Sequence, residues 1–141
     1  MKVRSIDVSR DVLWQAGMAV AKKAYAMARA VCPVMGLVGG GARGLHHFTE
    51  MVGADAAVTI NWLGTADKLI EQDPIVLHRF LAPVPESVID EFAEKVEDFR
   101  RGYFADAMEP AEYEDFGPVV LFRKSFEGRR QNALDFIRKL R

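Results

Sequence analysis

The order of apolar and polar positions divides the chain into a few readable elements. Ser9 to about Val31 is rich in Ala, Met, Lys and Arg, which predicts a helix with Ser9 as its cap and Asp11 in its first turn. Cys32-Pro33 ends it. Val34 to Val38 (VMGLV) is a short apolar run leading into a string of glycines, the pattern of a strand buried on both faces. Leu45 to Val52 then reads as a short helix closed by Gly53, and the β-branched run Ala57 to Asn61 (AVTIN) as a second strand. Helix, strand, glycine loop, helix, strand is the order of parallel α/β folds.

After Trp62 the pattern changes. Thr65 to Glu71 suits one or two helical turns, and Pro83 and Pro85 mark a turn. Glu86 to Arg101 places Val88, Ile89, Phe92, Val96 and Phe99 at helical spacing and predicts one amphipathic helix. Val119 to Phe122 fits strand or helix equally, and the chain ends in a helix containing Leu134, Phe136, Ile137 and Leu140. The expected fold class is therefore α/β, mostly helical with two short parallel strands. Residues 9–62 form the strand-bearing part and 63–141 a helical region of a single unit.

Composition narrows the function classes. The chain has 141 residues, half of them apolar, which is enough for a real core, since a domain near this size buries roughly 68–70% of its unfolded surface. Lys and Arg total 19 against 20 Asp and Glu, so no strongly basic footprint for nucleic acid is implied. No apolar run approaches the ~20 residues a bilayer span requires, and the amino-terminal MKVRSIDVSRD carries charge where a signal peptide is apolar. These features predict a cytoplasmic protein without membrane or nucleic-acid partners. The single Cys32 excludes an internal disulfide and a cysteine-rich metal site. Charge is unevenly distributed, acidic from Glu86 to Asp115 and basic from Arg123 to Arg141, as two solvated faces or as segments that dock on each other.

The most informative stretch is Gly36 to Gly44 (GLVGGGARG), between a strand and a helix. Backbone N–H groups and the helix dipole favour an anion there, and phosphate is the natural ligand. Gly39, Gly41 and Gly44 spell the dinucleotide fingerprint G-x-G-x-x-G. That fingerprint also needs an acid at the end of the next strand, where this chain has Asn61. Arg43, at the start of the helix, suits bidentate phosphate recognition. The candidate phosphate-binding set is Arg43 with Gly40, Gly41, Ala42 and Gly44.

The run Ala19 to Asn61, with KKAYAMARA, VMGLVGGGARG, LHHFTEMVGAD and AAVTIN in order, resembles the seventh and eighth strand regions of the transaldolase family. There a strand closes on a Ser-Phe-Arg-Asn loop and the next strand reads like LTIS. Phe116 to Arg141 is similar to the family's terminal segment, DFIRKL standing where a GIRKF-like motif falls. The resemblance covers most of the chain. It implies the carboxyl-terminal part of a (β/α)8 TIM barrel. It also implies sugar-phosphate chemistry, in which a lysine Schiff base passes a dihydroxyacetone unit from a ketose phosphate to an aldose phosphate without a cofactor. Arg43 takes the place of the family's phosphate-binding arginine, Gly41 that of the motif's serine and Gly44 that of its asparagine. The catalytic lysine of the family lies on earlier strands, and no catalytic residue is assigned in this chain: an amine needs desolvation or a neighbouring cation to react near neutral pH, and neither is expected for Lys22 and Lys23 in mid-helix, Lys68 on a helical turn, or Lys95, Lys124 and Lys139 at the surface.

Other residues complete the picture. Asn61 and Trp62, after the second strand, and His46, at the start of the helix beside the glycines, are the expected residues of the rim where a barrel binds substrate, His46 as a phosphate contact or an ordinary cap. His46 and His47 are adjacent and, at 3.6 residues per turn, point about 100° apart, so no shared metal site is expected. Trp14, Met18, Tyr25 and Met27 are expected in the core, and Cys32 as a small apolar residue. Two apolar parallel strands leave open edges, to be covered by the remainder of a barrel, by a second copy in a homo-oligomer, or by the helical carboxyl-terminal region folded back over the pair. The alternatives to a transaldolase-like role are a binding module for phosphorylated ligands and a non-catalytic interaction protein.

Overall fold

The computed structural model describes residues 7–40 and 44–140. They divide into two compact units that part between Lys95 and Val96, whereas the sequence pattern draws its internal boundary at 62–63. The first unit comprises α1 (Arg10–Leu13), α2 (Ala16–Val31), β1 (Leu37–Gly39), α3 (His46–Thr49), β2 (Ala56–Val58), an irregular turn at Trp62–Ala66, α4 (Asp67–Gln72) and α5 (Glu86–Lys95). Ser9 caps α1 as expected, its Oγ accepting from the Val12 amide at 3.3 Å. The predicted first helix breaks at Trp14-Gln15, just before Gly17, the weakest helix former of the stretch.

The strands are parallel, Leu37 beside Ala56, Val38 beside Ala57 and Gly39 beside Val58. Both are shorter than expected. The Met35 amide donates to the Cys32 carbonyl at 3.0 Å, closing a turn around Pro33-Val34, so β1 cannot begin before Leu37. Burial corrects the expectation of two covered faces. Leu37, Ala56 and Val58 pack against a core of Met18, Met51 and Phe80, but Val38 on the opposite face is 73% exposed. Met27 is likewise exposed rather than in the core, while Tyr25 is half-buried with its ring edge-on to Phe80, centroids 4.9 Å apart.

The segment after α4 is held by one cation. Lys22, from the middle of α2, donates to the Ala82 carbonyl at 2.9 Å, the Arg79 carbonyl at 3.1 Å and Glu50 Oε2 at 3.3 Å, and its side chain and that of Glu50 are each only 13% exposed. Arg79 closes on the other oxygen of Glu50 at 3.5 Å. The amides of Arg79 and Phe80 donate to the Val52 carbonyl, which seats Phe80, 2% exposed, in the core. Gly53 allows this approach: its φ is +95°, and a Cβ would lie 3.2 Å from that of His78.

In the second unit, α6 (Glu97–Tyr103), a 3-10 turn at Pro110–Glu114 and α7 (Gly117–Lys139) surround buried Met108 and Phe116. The expected single helix from Glu86 to Arg101 is two, because Val96 is extended (φ −125°, ψ 95°) and Glu97-Asp98 open α6, where carboxylates favour a helix start. Val119 to Phe122 is helical, within α7. Gly102 lies against Phe116, whose Cζ would be 3.0 Å from an added Cβ. Arg101 pairs with Glu112 at 3.0 Å, its guanidinium 5.9 Å from the centroid of the Phe116 ring. The expected α/β class, mostly helical with two short parallel strands, is present. No helix among the described residues is long and apolar enough to cross a membrane.

Replacing Lys22 by Met keeps the stem and removes the charge, leaving Glu50 half-paired. Hydrogen bonds to charged groups contribute about 1.5–3 kcal/mol, so Lys22→Met is expected to lower unfolding free energy by about that amount in urea titration. A loss below about 0.5 kcal/mol, the scale of an unremarkable surface change, would contradict the role given to this ammonium.

Candidate functional site

In open α/β sheets ligands gather at the carboxyl ends of the strands. Here those ends are Gly39-Gly40 and Val58, and they open into a cleft of about 240 Å³ walled by Gly17, Met18 and Ala21 of α2 and by His47 and Met51. A second depression, about 420 Å³ and lined by Leu13, Trp14, Gly17, His46 and His47, shares the Gly17 and His47 walls. Sequence reasoning missed Gly17. A glycine inside an alanine-rich helix costs roughly 0.5–1 kcal/mol, and here it leaves the helix surface bare beside His47, although a Cβ, 3.5 Å from His47 Nε2, would fit at ordinary contact distance.

Of the expected phosphate-binding residues, Gly40 lines the cleft and Gly44 lies under the His46 ring, while Gly41, Ala42 and Arg43 lie outside the described residues. A Cβ on Gly44 would come within 2.7 Å of His46 Cε1. The side chain that the transaldolase motif carries at this place is thus incompatible with the present position of His46. Asn61 and Trp62 do not line either depression; Asn61 receives the Ala66 amide at 3.1 Å and the Thr65 hydroxyl, and Trp62 is 67% exposed. Trp14, expected in the core, is 37% exposed and stands edge-on to His46 with ring centroids 5.3 Å apart. Cys32 terminates α2 and is half-buried.

The two histidines do not diverge as an ideal helix requires. They open the short α3, and their rings overlap with centroids 4.0 Å apart at 38°. His47 Nδ1 sits 3.3 Å from the Gly44 carbonyl, which can only accept, so in the neutral ring that nitrogen bears the proton. His46 Nε2 is buried without a hydrogen-bond partner among the described residues. Burial of the ring, then repulsion from His47, holds the His46 pKa below the ordinary histidine value, against an opposing pull from Glu50. The histidine beside the glycine segment is therefore a neutral ring at neutral pH, shaping the mouth by packing. Among the described residues no group of three or more His, Cys, Asp or Glu side chains is placed to hold a metal ion.

A separate apolar cleft of about 350 Å³ lies between α3 and α4, with Phe48, Val52, Leu69, Ile70 and Ile75 in its walls; it includes no residue of the glycine segment. Comparison with known proteins adds no relative: no family model, no curated protein and no solved structure matches the chain.

The depressed pKa of His46 has a direction in stability. The unfolded chain takes up its proton near the ordinary value of about 6.5, the folded chain only at lower pH, so the unfolded state binds more protons in that window. Stability is full above the unfolded pKa and declines as pH falls through it. NMR titration should place the His46 midpoint below about 6.5, and the urea midpoint should drop less steeply towards acid in His46→Gln than in the parent. A His46 midpoint at or above the ordinary value would refute the packing described for this ring.

Proposed function

We propose that this chain is the carboxyl-terminal part of a transaldolase-like (β/α)8 barrel of sugar-phosphate metabolism, and that Gly40 to Gly44 with Arg43 binds the phosphate of a sugar phosphate. The observation that supports this reading best is the state of the strand pair. β1 and β2 run parallel, helices cover the face bearing Leu37 and Val58, and Val38 on the other face is exposed. Parallel sheets are normally buried on both faces, and in a barrel the uncovered face would be packed by side chains from the remaining strands. The glycine segment also follows β1 directly, at the end of the strands where barrel enzymes bind phosphate.

In this reading the chain's part in the reaction is to bind and orient. Backbone N–H groups of the glycine segment and the Arg43 guanidinium take the phosphate, which would position the ketose or aldose for transfer of the dihydroxyacetone unit. The Schiff-base lysine would come from strands other than β1 and β2. Lys22 is not a candidate nucleophile, since its ammonium donates to three acceptors that hold the fold.

Calorimetric titration with a ketose phosphate tests the assignment. Arg43→Ala should weaken binding by about 1.5–3 kcal/mol, the range for a hydrogen bond to a charged group. Unchanged affinity would remove Arg43 from the site.

A further inference from the structure

The 23-residue helix α7 buries none of its side chains. Val119, Phe122, Phe126, Phe136 and Leu140 are all exposed, Phe122 by 68%, Phe136 by 64% and Leu140 by 71%. With Ala133 and Arg129 they fall at alternating spacings of three and four, as along the seam of a coiled coil, and Leu121 and Ile137, also exposed, lie beside that row. Charge on the same unit is polarised along the chain. From Glu97 to Asp115 acids outnumber bases by more than three to one, whereas in α7 Arg123, Lys124, Arg129, Arg130, Arg138 and Lys139 oppose only Glu127 and Asp135.

We propose that this seam is the docking surface for α7 of a second copy of the chain, paired antiparallel. A parallel pair would set Arg129 against Arg129, the basic ends side by side and the helix dipoles head to head. The antiparallel arrangement reverses each of these terms. Aligning the seams places Phe122 opposite Ala133 of the second copy, a large residue against a small one, and Val119 opposite Phe136. It also places Phe126 opposite Arg129, where the guanidinium can lie on the ring. The same register brings Arg138 and Lys139 to the acidic start of the other α7, where Asp115 and Asp98 lie; Asp98 is so close that a Cβ on Gly117 would be 2.5 Å from its oxygen. Arg123, which would face Arg130 of the second copy, already carries a counter-charge, Glu114 at 3.0 Å.

Sedimentation equilibrium of the whole chain at micromolar concentration should give a dimer. Phe126→Glu should weaken association at least tenfold with unchanged helix content in circular dichroism, because Phe126 is 57% exposed within its own chain. Spin labels on Arg138→Cys in a Cys32→Ser background keep every apolar side chain of the seam, remove one of the two basic charges at that end, and read the orientation of the pair. The antiparallel register separates the two labels by about 30 Å along the helices, while a parallel pair holds them within about 20 Å. A compact monomer, a dimer indifferent to Phe126→Glu, or labels at the shorter distance would each overturn the proposal.

Discussion

The first unit depends on a single half-buried ammonium. Two parallel three-residue strands and short helices leave little backbone hydrogen bonding to fix the path of residues 73–85, and Lys22 supplies what is missing by donating to two main-chain carbonyls and to Glu50. The carbonyls pin the chain where it passes α2, and Glu50 ties the same point to the end of α3. Phe80 is carried into the core by that arrangement, and the core in turn supports Leu37, Ala56 and Val58 on the covered face of the strands. A charge whose donors are satisfied in this way stabilises, whereas the same charge with its partners removed would be costly to bury.

Holding the strands from one side shapes the site. α2 runs behind β1 and β2 and gives Gly17, Met18 and Ala21 to the cleft at their carboxyl ends, while α3 gives His47 and Met51. The glycine segment leaves β1 at the mouth of that cleft. His46 lies over Gly44 and beside Trp14, so the absence of a side chain at Gly44 is a packing requirement of the histidine. The bare face bearing Val38 lies opposite and is apolar.

Element type was legible in the sequence because helices announce themselves through caps and composition: Ser9 and Cys32-Pro33 mark boundaries that the fold respects, whereas the helix expected over Leu45 to Val52 is only His46–Thr49 and ends before Gly53. Strand limits were less legible, since the turn closed by the Met35 amide onto the Cys32 carbonyl leaves no pattern beyond a proline. Burial on both faces was inferred from apolar content alone, and Val38 shows the limit of that inference: an apolar residue states what a face prefers to meet, and meeting it depends on other chain being present. The overlap of His46 and His47 escaped ideal helical geometry because α3 is only one turn long. Glycine was the best guide to the site. Gly40 and Gly44 were readable as a loop, whereas Gly39, read with them, is the last residue of β1, and Gly17, within a helix, carried no signal in the sequence pattern.

The central claim is that the glycine segment following β1 takes phosphate, and amide chemical shifts report on it most directly. Titrating inorganic phosphate into the isotopically labelled chain while recording amide spectra should move the resonances of Gly40 to Gly44 together, saturating with one affinity and leaving α7 unchanged. Perturbations confined to the basic residues of α7, or the absence of any saturable change at Gly40 and Gly44, would contradict the account.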